Sequence, residues 1–314
     1  MKSHLEKEKN FISAVVYMQN CEADITEFLN QLSHELYANF QVYELILVDD
    51  ASKDRTLTKI NGFSPEGNCN ISVVKMAYYH GKEKAMRAGV DLSIGDFVYE
   101  FDSVSINYEP SLIFDVYKKA LEGYDMVAAS KKGSAKSSSK FFYKVLEKSS
   151  GQGIKLQSET FRIVSRRMIN RALKSSNQVF YRKAIYHYSG LDTAIIEYVP
   201  VNSQKINDAL SVSQQTGLAM DVLISHSDIG IRIAGVVSTL FLIFAILTSA
   251  YTVYTYFTLE NIQPGWATTM FFLSVSFAGV FFVLFIVTKY LVNILKEVRN
   301  QPMYVYKGIE KIKK

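Results

Sequence analysis

Cysteine is scarce in this 314-residue chain, which has only Cys21 and Cys69. Neither has a neighbouring histidine, and the five histidines are scattered singly, so no zinc-site spacing is available. The patterns G-x-G-x-x-G and G-x-x-x-x-G-K-[ST] are both missing, which excludes the dinucleotide fingerprint and the P-loop. The opening MKSHLEKEKN lacks the apolar run of a secretory signal. The N-terminal part is therefore expected to stay in the cytosol, with both thiols reduced. A charged fraction of 21% with 20 Tyr and 20 Phe excludes a disordered or fibrous chain. The length is ample for one large domain or two ordinary ones.

The apolar content is concentrated near the C-terminus. Ile233 to Phe257 carries no charge across 25 residues, and Ala267 to Thr288 none across 22. A spanning helix needs about 20 such residues, so the sequence predicts a transmembrane hairpin with helices over 231–257 and 267–288. Residues 258–266 form the extracytoplasmic connection, where Trp266 suits the headgroup layer. The connection holds Glu260 and no Lys or Arg. From Lys289 onward, seven basic residues face two acidic ones, so the chain's net charge of +5 resides in a basic tail over 289–314. The positive-inside tendency then puts both termini in the cytoplasm. Such a tail is expected to lie on anionic membrane lipid, and the basic balance is not read as nucleic-acid binding. Residues 207–230 mix Leu210, Leu218, Met220, Val222, Leu223 and Ile224 with Ser and Gln, and read as a juxtamembrane amphipathic segment or as packing under the cytosolic domain.

Residues 1–206 alternate short apolar runs with helical patterns. Strands are expected over 11–17, 43–48, 71–76, 96–101 and 125–129. Helices are expected over 24–36, from 54, over 81–94 and over 110–122. This alternation predicts an α/β domain with a mostly parallel sheet covered on both faces. Ligands of such sheets bind beyond the carboxyl ends of the strands. Two of those ends carry acids, Asp49-Asp50 and Asp102. Asp is also a common cap and turn residue, and Asp54 or Ser52 suits the start of the second helix. If a nucleotide binds, acids must hold base and ribose, and an acid with a divalent ion must hold the diphosphate.

The successive segments VVYMQNCEADI, ELILVDDASKDRT and GKEKAMRAGVDLSIGDFVYEFDSV resemble the motifs of family 2 glycosyltransferases with the GT-A (Rossmann-like) fold. IKLQSETFRIVSRRMI, the hairpin preceded by Gln263-Pro264-Gly265-Trp266, and KYLVNILKEVRNQPMYVY narrow the resemblance. They are similar to the polyprenyl-phosphate glycosyltransferases related to dolichol-phosphate mannose synthase, in the branch with two C-terminal membrane helices. The resemblance covers roughly residues 11–306. It implies inverting, single-displacement transfer of a sugar from a nucleotide-diphosphate sugar to polyprenyl phosphate on the cytoplasmic face. Asn20, Glu22, Asp49, Asp50 and Ser52 would contact base and ribose, and Asp102 the diphosphate and a Mg or Mn ion. Lys131 and Lys140 would stand near the acceptor phosphate, unless they and Lys132 and Lys136 form only a solvated basic loop. Arg162 would match the FR pair of the late motif. The resemblance also suggests a homo-oligomer, and admits a flippase or later-acting glycosyltransferase as partner in making envelope polysaccharide.

The pattern departs from the family at several places. The metal motif reads Asp102-Ser103-Val104-Ser105-Ile106, with Val104 for the second acid and Ile106 for a glutamine. The late motif has Gln157 and Thr160 at acidic positions, with Glu159 between them. Tyr17 replaces the usual proline. A phosphate acceptor is already anionic, so a general base matters little, whereas lost metal ligands weaken stabilisation of the departing diphosphate. Glu100 lies two residues before Asp102, on the same face of a strand. One expectation is a shifted Glu100-x-Asp102 metal site; its rival pairs Glu100 with a lysine. Two functional readings follow: a membrane-anchored hexosyltransferase, or a catalytically inactive homologue serving as scaffold or regulatory subunit.

Overall fold

The computed structural model describes residues 7–67, 69–132, 159–175, 182–201, positions within 235–247, 265–298 and 303–312. It distinguishes two compact units. The first carries the sheet; the second contains the long C-terminal helix.

The first unit begins with β1 (Ile12–Met18), α1 (Ile25–Asn39), β2 (Tyr43–Asp49), α2 (Thr56–Asn61) and β3 (Asn70–Met76). It continues through α3 (Lys82–Leu92), β4 (Phe97–Phe101), α4 (Leu112–Leu121) and β5 (Met126–Lys131). Beyond it come β6 (Phe161–Ser165), α5 (Arg166–Ser175), α6 (Arg182–Tyr188) and β7 (Thr193–Tyr198). One sheet of eight strands results, in the order β7-β5-β6-β4-β1-β2-β3-β8, where β8 is Tyr306–Ile312. The pairs β1–β2, β1–β4, β2–β3 and β5–β7 are parallel. β6 runs antiparallel between β4 and β5, and β8 antiparallel to β3. The GT-A-like, mostly parallel architecture read from the sequence is therefore present. The strand set is larger than expected by β6, β7 and β8.

Alternation along the strands supplies two apolar faces. Ala14, Val16, Leu45, Leu47, Val73, Tyr99 and Phe101 share one core with Phe28, Leu32, Val116 and Tyr117 of α1 and α4. Val15, Ile46, Val48, Val74, Val98 and Val164 share the other with Ala85, Met86, Met168 and Ile185 of α3, α5 and α6. Residues i and i+1 of a strand face opposite ways, so strands buried on both sides read as unbroken apolar runs. Gly89 lets α3 lie close on the sheet, since a Cβ there would fall 2.5 Å from Val15 Cγ1 and 2.6 Å from Val48 Cγ2.

β8 lies within the expected basic tail. Residues 306–312 form an edge strand beside β3, with Lys75 and Glu310 ion-paired at 2.6 Å. Ala77 donates its N–H to the Val305 carbonyl, and Val305 donates to His80 Nε2. Backbone pairing holds this part of the tail to the sheet.

In the second unit, α7 (Trp266–Val298) is helical over 33 residues. Among the described residues no helix is long and apolar enough to cross a membrane. The first expected span and the 258–266 connection lie largely outside the described residues, and the 207–230 segment wholly so. Two contacts join the segments on either side of that connection. Phe241 stands over Gly279, where a Cβ would come within 2.3 Å of its ring, and the Phe244 and Phe272 rings lie 5.6 Å apart. The later partner lies earlier in α7 as the first segment advances, so the two segments run in opposite senses.

Candidate functional site

The registers align the carboxyl ends of three neighbouring strands. Met18 of β1 is opposite Asp49 of β2, and Val16 is opposite Phe101 of β4. Asp49 and Asp102 therefore finish strands on either side of β1, about 10 Å apart at two strand spacings. The sequence-predicted acids do converge there, but they do different things.

Asp50 is fully buried and its carboxylate is already occupied. It accepts the His80 N–H at 2.8 Å, the Gly81 N–H at 2.9 Å and the Tyr17 hydroxyl at 3.1 Å. Gly81 is the N-cap of α3, with φ of +83°. Asp50 thus caps α3 from a different strand, satisfying donors that the helix itself cannot. Burial, with the Asp50 charge second, pushes the Tyr17 phenol well above its ordinary range. Asp49 is the contrasting neighbour: 3% exposed, with Oδ1 lacking any hydrogen-bond partner. Burial raises its carboxyl, partly offset by hydrogen bonds from Ser52. A buried, unsatisfied acceptor at a strand end is costly unless something donates to it.

Asn20, Glu22 and Ser52 zip the loop after β1 to the loop after β2. Asn20 N–H donates to Ser52 Oγ at 3.0 Å, and Lys53 N–H to Asn20 Oδ1 at 2.8 Å. Glu22 N–H donates to Asp54 Oδ2, and Arg55 N–H to Glu22 Oε2. Asn20 and Ala51 both have positive φ, +48° and +56°, so both loops turn sharply at this point. Asp54 also accepts the Thr56 N–H at 3.0 Å, from one residue before the N-cap of α2, which is Arg55 rather than the expected Ser52 or Asp54.

The end of β4 is built from charge. Glu100 pairs in register with Arg162 of β6. Arg162 donates from Nη1 to Glu100 Oε2 at 3.2 Å and from Nη2 to Asp102 Oδ2 at 2.6 Å. Arg182 of α6 donates from Nη1 to Glu100 Oε2, from Nη2 to Asp102 Oδ1 at 2.6 Å and from Nε to Glu83 of α3 at 3.1 Å. The Tyr186 hydroxyl donates to Glu100 Oε1. Glu159 lies beneath Arg162, with Arg162 Nε at 3.0 Å and Lys183 Nζ at 3.2 Å from its oxygens. Glu100 is wholly buried, Arg162 and Arg182 are 3% and 2% exposed, and the Asp102 side chain reaches solvent at 18%. Burial alone would raise the Asp102 carboxyl, but Arg162 and Arg182 overcome it and hold it well below the usual range. Burial is likewise outweighed at Glu159, which Lys183 and Arg162 hold at about 2.

Glu100 and Asp102 do share a face, as i and i+2 spacing requires. As placed, the expected Glu100–Asp102 metal pair does not fit a divalent ion. All four of their carboxylate oxygens accept N–H or O–H groups. Val104 and Ile106, at the positions of the further ligands, pack in the core with Phe101 and Tyr108. Among the described residues no group of three His, Cys, Asp or Glu could hold a metal. Glu100 is paired, as its rival reading required, but with two arginines rather than a lysine. Thr160 hydrogen-bonds the Tyr198 hydroxyl at 2.7 Å, and Tyr198 donates onward to Asn107.

Lys131 ends β5 at the same edge of the sheet, two strands from β4. Lys140, Lys136 and Gln157 lie outside the described residues. The sequence reading missed Arg182, Lys183, Tyr186 and Glu83. Their trace was the i, i+4 spacing of Arg182 with Tyr186 and of Lys183 with His187, which gives a short helix a polar face toward an acid buried in a strand. A shallow cleft lined by Asp96, Tyr124, Asp125 and Arg166 lies at the amino ends of the strands, away from this site.

Residues 13–183 match the family described as glycosyl transferase family 2. An uncharacterized glycosyltransferase of Synechocystis is 24% identical over 302 residues, covering 94% of each chain. The prophage bactoprenol glucosyl transferase homolog of Escherichia coli is 24% identical, covering 96% of this chain and 99% of its own. The undecaprenyl-phosphate 4-deoxy-4-formamido-L-arabinose transferase of Shewanella sediminis is 22% identical, covering 96% and 92%. Among solved structures, glucosyl-3-phosphoglycerate synthase of Mycobacterium tuberculosis, in complex with Mn²⁺, UDP and phosphoglyceric acid, has a TM-score of 0.50 at 19% identity. That likeness covers 68% of this chain and 76% of that one, and bears on the fold alone.

Proposed function

Because the chain belongs to glycosyl transferase family 2, we propose that it moves a sugar from a nucleotide-diphosphate sugar to polyprenyl phosphate at the cytoplasmic face of a membrane. The observation that carries this reading is likeness over 94–97% of each chain to bactoprenol glucosyl transferases, a likeness that includes the apolar C-terminal part. Asp49, with its open Oδ1, would accept a donor from base or ribose, held by the loop zipper of Asn20, Glu22 and Ser52. Lys131 would face the acceptor phosphate. In a single displacement, a phosphate oxygen bonds to the anomeric carbon as the bond from that carbon to the diphosphate breaks. The diphosphate leaves with the electron pair, and the acceptor needs almost no proton removed.

Membrane anchoring by two spans, 231–257 and 267–288, is part of the proposal. Exposed Phe277, Phe281, Phe282 and Phe285 along α7 suit a lipid-facing surface. β8 and β3 share one sheet, which supports a reading with the chain before and after the apolar part on the same side of the membrane. The number of crossings between them is then even. The opposite running sense of the contacts Phe241–Gly279 and Phe244–Phe272 supports two.

The test is transfer of labelled sugar from a panel of UDP- and GDP-sugars to polyprenyl phosphate by the detergent-purified full chain. Label is expected in the lipid extract with one donor, and is lost in Asp49→Asn. No lipid-linked label with any donor refutes the reading.

A further inference from the structure

We infer that the positive charge at the carboxyl end of β4 is supplied by Arg162 and Arg182 rather than by a divalent cation, so that this chain binds a nucleoside diphosphate without metal. The inference rests on the nucleotide-sugar reading of the site and concerns how that site is charged.

A bound Mg or Mn ion does two things beside a strand-end carboxylate. It cancels the carboxylate charge that would repel a diphosphate, and it takes carboxylate lone pairs at about 2.1 Å. Here both oxygens of Asp102 already accept guanidinium N–H at 2.6 Å, one from each arginine. Those of Glu100 accept from Arg162, Arg182 and Tyr186. The lone pairs that an ion would need are in use, and the charge it would cancel is already cancelled. The whole cluster is balanced: Glu83, Glu100, Asp102 and Glu159 stand among Arg162, Arg182 and Lys183, with Lys82 also acting on Asp102. A further double charge would have four cations beside it and no uncommitted acid.

The arrangement is also rigid. Arg162 sits on a central strand between β4 and β5. Arg182 is fixed by Glu83 through both its backbone N–H and its Nε. Guanidinium groups stay charged at any working pH. With their donors held by the acids, what they offer a diphosphate is the field of two fixed cations. Preorganised cations of this kind stabilise a departing diphosphate without having to be recruited. Asp102 reaches solvent at 18%, as Glu83 does at 15%, and Asp102 does so with an arginine on each of its oxygens.

The experiment uses the full chain in detergent with two independent readouts. Calorimetry with UDP and with GDP, in EDTA and in excess Mn²⁺, is expected to give dissociation constants equal within about threefold. A larger loss of affinity in EDTA overturns the inference. Electron paramagnetic resonance of Mn²⁺ titrated with the protein, alone and with UDP, is expected to show no protein-bound ion beyond that carried by free UDP. A stoichiometric bound Mn²⁺ that disappears in Asp102→Asn overturns it. If neither nucleotide binds in either buffer, the nucleotide-sugar reading fails, and the Mn²⁺ titration still decides how the acids are charged.

Discussion

Replacing Glu100 by glutamine should be among the most damaging single-atom changes available in this fold. Glu100 has no solvent exposure and shares its two oxygens among Arg162, Arg182 and Tyr186. Glutamine keeps the shape and one acceptor, but turns the other position into an N–H₂ group. With the amide nitrogen toward the arginines a donor meets donors; turned toward Tyr186 it finds a hydroxyl that can accept. Either way two guanidinium groups lose a shared counter-charge in a place water does not reach. Removing one partner of a buried pair costs about 3–5 kcal/mol. For a unit of roughly 200 residues that is about 6–20 °C in melting temperature. Glu122→Gln is the control: it removes the partner of Lys119 at an exposed pair, 35% and 56% open to solvent, and should change stability by less than about 0.5 kcal/mol.

The assay is thermal unfolding at a fixed scan rate, followed by far-ultraviolet circular dichroism in detergent. The double variant Glu100→Gln/Arg182→Met sharpens it, because removing acid and base together takes the uncompensated charge away. Its loss should fall short of the sum of the two single losses by about 1 kcal/mol or more. If Glu100→Gln melts within a degree or two of the parent, or the two losses simply add, the buried network does not hold this part of the fold and the reasoning is wrong.

Glu159, held at about 2 against an ordinary value of 4.5, contributes about 3 kcal/mol that is present above pH 4.5 and lost as pH falls through 2. Its removal in Glu159→Gln should flatten the acid limb of a stability–pH curve, and an unchanged limb in that variant would count against the assignment. Asp49 and Asp50 should separate in opposite directions. Asp50→Asn loses the cap of α3 and about 1–2 kcal/mol of stability, while Asp49→Asn costs no stability and weakens nucleotide binding about tenfold or more. Denaturant melts beside calorimetry check both, and equal behaviour of the two variants would refute the division of roles. Single cysteines placed at Glu260 and at Lys313, in a chain with Cys21 and Cys69 replaced by serine, should react with an impermeant maleimide from opposite sides of intact cells or vesicles. Labelling of both from one side would refute a hairpin of two spans.

The sheet was legible where strands are buried on both faces, because such strands must be apolar throughout. Phe11 to Tyr17 and Tyr43 to Val48 carry that signal, and β1 and β2 lie within a residue or two of them. β8 carries no such signal. Its sequence, YKGIEKI, is exposed at most positions, and what places it is the unpaired backbone edge of β3, which no side-chain pattern records. Its lysines therefore read only as part of a basic tail lying on anionic lipid.

At the site, the convergence of acids was legible because strand ends are fixed by the fold, but their division of labour was not. Whether Asp49 or Asp50 keeps an open oxygen is decided by the backbone N–H groups of His80 and Gly81, thirty residues away. The change at the metal motif shows the same limit. Val104 and Ile106, taken alone, read as erosion of a working site, and Glu100 as an oddity beside it. In the fold they belong to one rearrangement: the side chains at 104 and 106 join the core, an acid appears in the buried strand, and Arg162 and Arg182 close on it. Simple decay would leave unpaired charge or drift toward apolar packing, since a buried ion pair stabilises little compared with hydrophobic residues of the same volume. Four acids and their cations, each with a named partner at the end of a strand where ligands of this fold bind, cost more to assemble than an apolar core would. That cost argues for a charged site put to use, and directs the first experiment to whether nucleotide binding needs metal.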